Sequence, residues 1–365
     1  MTEPMSVRGR LARAIQGLFP GYFALVMATG IVSVAAQTLG MPEIASGLLA
    51  VNELAYGVLG SLLLIRVVAY PRRVLEDLRD HGRGPGFFTV VAGTCVLGTQ
   101  IVIVNHDATV PQVLWVLGIA LWVLVMYGFF AAVVVREDKP SLESGINGAW
   151  LIAIVATQSV SVLGTTLAPE MPGAREPILF FTLCMYLLGA MLYVTIITLI
   201  FYRFTFVPMP VERLTPPYWI NMGAVAITTL AGSTLLLAAD SWPFLTQMRP
   251  FLLGFTLFFW VAATWWIPLL VLLGIWRHVI RRFPLRYDPQ YWGMVFPLGM
   301  YAVCTARLAN ATELDFLALL PQYFVYIALA AWIATFIGML RSLWRSRLKP
   351  AATSPRPPAG QVPPR

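Results

Sequence analysis

The polar side chains inside the apolar runs of this 365-residue chain are mostly hydroxyls and amides, not clustered acids or bases. Thr29, Ser33, Thr94, Thr99, Gln100, Asn147, Thr157, Gln158, Ser159, Asn221, Thr228, Thr229 and Ser233 are of this kind. Such groups can solvate a passing anion without holding it so tightly that it cannot leave. They can equally bridge helices, each bond contributing under about 1 kcal/mol. Arg307 is the exception, a lone guanidinium roughly 24 Å along a helix from Tyr291 at 1.5 Å per residue. There it can attract anions at an outer mouth, pair with Glu53, Glu313 or Asp315, or reach lipid headgroups. A catalytic centre would need acids or histidines gathered at one depth, and none gathers. His81, His106 and His278 fall in loops or at run ends without HExxH spacing. Cys95, Cys184 and Cys304 each sit in an apolar run without a CxxC neighbour, which argues against a zinc site or disulfide framework. No P-loop is present, which argues against ATP-driven transport by this chain alone. The expectation is a non-enzymatic chain without cofactor or metal, whose surroundings are lipid and whose partners do not include nucleic acid.

What must position these groups is a stack of membrane helices. Hydrophobic residues make up 58% of the chain and charged residues 12%, against about a quarter charged in soluble domains. Runs long enough to span a bilayer are expected at 19–39, 49–70, 86–105, 111–135, 145–166, 177–202, 217–239, 250–276, 290–309 and 319–342. Arg8, Arg10 and Arg13 precede the first run, which is long enough to span and lacks an obvious cleavage site, so it reads as a helix and not a signal peptide. The domain reading is an amino-terminal segment at 1–15, a ten-helix unit at 16–347, and a disordered Pro-rich tail at 348–365. Of the 25 Lys and Arg residues, 22 fall on one side under this scheme, whereas the acids divide 9 to 8. Positive-inside orientation then puts both termini in the cytoplasm of a cell-membrane protein and accounts for the net charge of +8.

Odd and even runs differ in composition. Gly, Ala, Ser and Thr supply 44 of 106 residues in the odd runs and 29 of 124 in the even ones. Small residues let helices approach closely or leave space along an axis. This predicts an inner ring of odd helices inside an outer belt of even ones. Four odd runs also open on Pro-x-aromatic-aromatic: Pro20-Gly21-Tyr22-Phe23, Pro85-Gly86-Phe87-Phe88, Pro216-Pro217-Tyr218-Trp219 and Pro289-Gln290-Tyr291-Trp292. The fifth run lacks that motif but echoes Ile220-Asn221 in Ile146-Asn147. Five repeated hairpins could enclose a pathway.

Two stretches, Pro20 to Ser33 and Tyr291 to Tyr301, resemble the tellurite-resistance/dicarboxylate transporter family, which includes the slow-type anion channels. The resemblance covers roughly residues 15 to 345. It implies an all-α polytopic membrane protein of five hairpins in pseudo-fivefold order around a central pore, usually a homotrimer with one pore per subunit. It also implies passage of malate-like C4-dicarboxylates, sulfite, chloride or nitrate, and in some members a link to tellurite resistance. A proton-coupled carrier is the alternative mode.

The resemblance further implies a pore-plugging phenylalanine in the ninth helix, which here is Phe296 next to Pro297. Counting seven residues on from each opening proline gives Met27, Ala92, Gly223 and Phe296, and the Asn147 echo gives Ala149. One aromatic thus meets small partners at one level, and Pro297 removes a helical hydrogen bond beside it. The expected pore gate is Phe296 with Pro297. The expected lining is Met27, Thr29, Ser33, Ala92, Thr94, Asn147, Ala149, Asn221, Gly223 and Thr228, with Arg307 at the outer mouth.

Overall fold

The computed structural model describes residues 7–348. The expected tail at 348–365, apart from Leu348, and the first six residues lie outside the described residues. Ten helices of 15 residues or more occur among the described residues: α1 (Ala24–Thr38), α2 (Pro42–Ala69), α3 (Phe88–Asn105), α4 (Thr109–Val134), α5 (Ile152–Leu167), α6 (Arg175–Phe206), α7 (Ile220–Leu237), α8 (Arg249–Ile275), α9 (Trp292–Thr312) and α10 (Leu319–Leu348). Nine of these, taken with their flanking turns, are long and apolar enough to cross a membrane. α9 is outside that set; it carries Arg307, Pro297, Gly293 and Gly299 within its 21 residues. The chain is an all-α, multi-pass membrane protein.

The odd helices close a ring, with α1 packed on α3, α3 on α5, α5 on α7, α7 on α9 and α9 on α1. The even helices lie outside it. Between 78 and 94% of the most apolar stretch is buried for α1, α3, α5 and α7, against 17 to 44% for the even helices. The small-residue bias fits this geometry, because each ring helix packs against two ring neighbours as well as the belt, and close approach at those seams needs short side chains. At Gly223 a Cβ would stand 2.7 Å from the Pro297 ring, so α7 and α9 touch there only through glycine.

Each ring helix opens on a short 3-10 turn: Pro20–Phe23, Gly84–Phe87, Gly148–Leu151, Pro216–Trp219 and Pro289–Tyr291. The Pro-x-aromatic-aromatic motifs therefore form these lead-in turns, and the α-helices begin after them. Proline suits such a position, since its fixed φ fits and its missing N–H is not needed. The fifth run has a turn as well, with glycine in place of proline. Asn147 is extended at φ −153°, and its Oδ1 accepts from Ala149 N at 2.8 Å, which fixes the turn. A Cβ at Gly148 would lie 2.3 Å from the Pro217 carbonyl oxygen. Glycine is required there by the close approach of two lead-in segments. The expected start of this run at 145 shifts accordingly, because Leu142–Gly145 is a separate short helix.

Two sets of contacts lock the belt to the ring, and both repeat around it. In the first, an aromatic on an even helix pairs with the next odd helix. Tyr56 OH meets Thr94 Oγ1 at 3.0 Å, Trp122 Nε1 donates to Thr157 at 2.9 Å, and Tyr193 OH donates to the Asn221 carbonyl at 3.4 Å. Trp260 Nε1 donates to Thr305 at 3.1 Å and Trp332 Nε1 to Thr29 at 2.9 Å. In the second, an arginine near the end of an even helix donates to a carbonyl ahead of an odd one. Arg66 reaches Gln16 at 3.2 Å, Arg136 reaches Arg79 at 2.9 Å, Arg203 reaches Ile146 at 2.9 Å, and Arg277 reaches Leu214. A cation at a helix carboxyl end is favoured by the helix dipole, so these arginines stabilise two helices at once.

Candidate functional site

The five lead-in turns converge on a vestibule of about 430 Å³ at one end of the ring. Its wall is built in layers that follow the repeat. Counted from the first residue of Pro20, Pro85, Gly148, Pro216 and Pro289, the next residue of every turn lines it: Gly21, Gly86, Ala149, Pro217 and Gln290. Three residues deeper every ring helix contributes again, with Ala24, Thr89, Ile152, Ile220 and Gly293. A further three residues deeper the wall is Met27, Val155 and Phe296 alone. Ala92 and Gly223 share that level in the repeat and do not reach the wall. A spacing of three keeps one face of a helix toward the axis. The floor is therefore three buried apolar side chains, of which Phe296 is the largest.

Two sequence-derived positions move. Helix α5 takes its register from Gly148, not from the Asn147 echo, so Val155 occupies the Phe296 level and Ala149 sits at the mouth. Gly223 faces Pro297 and makes room for its ring. The polar candidates divide as well. Asn147 lines the vestibule. Thr29 and Thr94 lie in the seam between layers, bound to Trp332 and Tyr56. They stand two residues past the floor position in the repeat, roughly 200° around the helix, which turns them away from the axis. Ser33 donates to the Ala45 carbonyl of α2 at 2.7 Å. Thr228 donates to Ala224 within its own helix at 2.7 Å. Asn221 is fully buried against α6, where Tyr193 binds its backbone.

Arg307 is half-buried near the end of α9, with no ion pair within 4.0 Å among the described residues. Arg83, Thr89, Val155 and Gln290 line the vestibule and were missed in the sequence. Thr89 donates to the Gly86 and Pro20 carbonyls at 2.6 and 3.1 Å, tying two lead-in turns together.

Electrostatically the vestibule favours anions. Arg83 is the one charged side chain on its wall among the described residues. The amino ends of five ring helices open toward it, and each carries roughly half a positive charge. Fixed dipoles of this kind attract an anion without a tight point charge that would trap it.

Residues 18–340 match the voltage-dependent anion channel family. An uncharacterized membrane protein of Mycobacterium tuberculosis is 41% identical over 152 residues, covering 42% of this chain and 77% of that protein. An uncharacterized transporter of Methanocaldococcus jannaschii is 23% identical over 341 residues, 92% of this chain and 97% of its own. A sulfite efflux pump of Trichophyton rubrum is 22% identical over 344 residues, 88% and 90% of the two chains. With the fivefold ring, its belt and the electropositive vestibule, the match over most of the chain shows that this protein belongs to the voltage-dependent anion channel family, the superfamily that also holds the tellurite-resistance/dicarboxylate transporters.

Proposed function

We propose that this protein passes small inorganic anions or small carboxylates across the cell membrane, through the axis of its own ring, with Phe296 closing the pathway at the floor of the vestibule. The observation that carries this reading is the layered wall, which narrows from five contributors at two levels to Met27, Val155 and Phe296 at the third. An apolar constriction blocks ions sterically and by dewetting. Sulfite stands first among candidate substrates because a relative spanning most of the chain is named a sulfite efflux pump. Malate, chloride and nitrate follow. The distribution of Lys and Arg supports cytoplasmic termini and a vestibule that opens to the cytoplasm. Arg307 then belongs to the opposite mouth. In this reading each subunit of a homotrimer carries its own pathway.

The test is flux from proteoliposomes holding the purified full-length chain, against a panel of these anions and in a salt gradient. Reversal potentials near the anion limit, with at least one panel member carried, are the expected result. Potentials near the cation limit, or no flux of any member, would overturn the reading. Repeating the panel with an imposed pH gradient separates a channel from a proton-coupled carrier.

A further inference from the structure

Arg83 belongs to the loop that precedes α3, and its side chain is 40% exposed. Two of its N–H groups are committed, with Nε donating to Asp77 Oδ1 at 2.7 Å and Nη2 to Asp77 Oδ2 at 3.1 Å. Asp77 is itself 13% exposed and also accepts from Arg66 Nη2 at 2.5 Å. Arg66 is nearly fully buried and anchored to the Gln16 carbonyl, so the carboxylate is held from behind. The guanidinium of Arg83 lies 5.6 Å from the centre of the Phe19 ring, which also lines the vestibule. One face is thus covered by an aromatic and one edge by a carboxylate. A guanidinium has five N–H donors in a rigid fork, and the edge bearing Nη1 has no hydrogen-bond partner among the described residues. This posture is pre-organised, because the contacts to Asp77 and Phe19 already fix the long side chain before an anion arrives. Phe19, Asn147, Thr215 and Gln290 complete the mouth, one each from the segments leading into α1, α5, α7 and α9.

We infer that the free edge of Arg83 is an anion-binding subsite at the vestibule mouth, selective for small planar or pyramidal oxyanions such as nitrate, sulfite or a carboxylate. Two oxygens about 2.2 Å apart match the two parallel N–H groups of a guanidinium edge, whereas a halide meets the fork with one contact. Asp77 is a positioning residue. It turns the fork toward the cavity and, by its own charge, keeps the site weak enough to release its anion inward. The subsite rests on the anion-transport reading above only for its purpose, since binding can be measured without flux.

The experiment uses the detergent-purified full-length chain. An anion that binds the folded state alone raises its melting temperature in proportion to occupancy. Nitrate should stabilise the wild type more than chloride at equal ionic strength. Arg83→Gln should weaken that nitrate effect roughly tenfold in apparent affinity, the loss of one charge-assisted bidentate contact. In an Arg83→Cys, Cys184→Ser background, a thiol reagent carrying a quaternary ammonium should restore nitrate binding and one carrying a sulfonate should not. Cys95 and Cys304 are buried and do not compete for the label. Equal nitrate shifts in wild type and Arg83→Gln, or equal action of the two reagents, would overturn the subsite. Stabilisation by added anionic lipid with nitrate silent would assign the fork to a headgroup and overturn it too. Loss of flux with these binding results intact would instead count against the transport reading alone.

Discussion

The same five helices present two unlike faces. The face toward the axis carries Ala24, Met27, Ile152, Val155, Ile220, Gly293 and Phe296, with Thr89 the one hydroxyl. The face toward the belt carries Thr29, Thr94, Thr157 and Thr305, each paired with a Tyr or Trp of an outer helix. A pathway for anions would be expected to place its hydroxyls on the axis. Here they serve assembly, where one hydrogen bond in an apolar seam fixes the rotation of a helix. In the proposed reading the axis draws its preference from backbone dipoles and Arg83. Selectivity and assembly would then be carried by different atoms, and substitutions should separate them.

The largest effect should come from breaking the ring itself. Gly148→Val would drive a side chain into the Pro217–Tyr218 backbone, with contacts of 2.3 to 2.7 Å. Backbone cannot yield as a flexible side chain does, and the cost should exceed about 4 kcal/mol. Size-exclusion chromatography should find little monodisperse protein, whereas Gly254→Val on the open outer surface of α8, where a Cβ meets nothing within 4 Å, should behave as wild type. Next in size is the seam. Trp332→Phe keeps an aromatic ring but loses the bond to Thr29 and part of the buried indole volume, and should lower stability by about 1–3 kcal/mol. Thr94→Val should do the same or less. Both should leave flux per folded molecule unchanged, and a flux change without a stability change would mean that the seam side chains face the pathway after all.

The smallest expected effect is at His81, in the loop ahead of α3. Burial, and then the nearby Arg136, lower its pKa from the ordinary 6.5. Its Nδ1 is buried without a partner among the described residues. The unfolded chain takes up a proton at higher pH than the folded one, so stability is complete above about 6.5 and declines as pH falls below it. His81→Gln should flatten the melting temperature over that range relative to wild type. Parallel pH profiles for the two proteins would show that the imidazole is not the group responsible.

Much of this was legible before any coordinates. Small residues concentrate in alternate runs because five helices share an axis, and that bias is countable. A fixed count after each opening proline puts Phe296 and Met27 at one level, while Ala92 and Gly223, reached by the same count, stay off the wall. Helix α5 escaped the count because Gly148 replaces the proline, a substitution imposed by the Pro217 backbone on another segment. The outward turn of Thr29 and Thr94 was readable in principle, since both lie two residues beyond the floor position. Arg83 was not readable. Its pose depends on Asp77 at the end of the short helix Pro71–Arg79 and on Arg66 further back, a network that only tertiary closure creates.

The central claim is that Phe296 closes the vestibule floor. Anion efflux from proteoliposomes, normalised to folded protein, should be compared for wild type, Phe296→Leu and Phe296→Ala. The account predicts a graded rise, with Phe296→Ala higher by on the order of tenfold and Phe296→Leu between, as the plug of the apolar constriction shrinks. Removing a Phe that merely packs a core would instead cost about 3–5 kcal/mol and lower the folded yield. Well-folded Phe296→Ala protein with unchanged or reduced efflux would contradict the account.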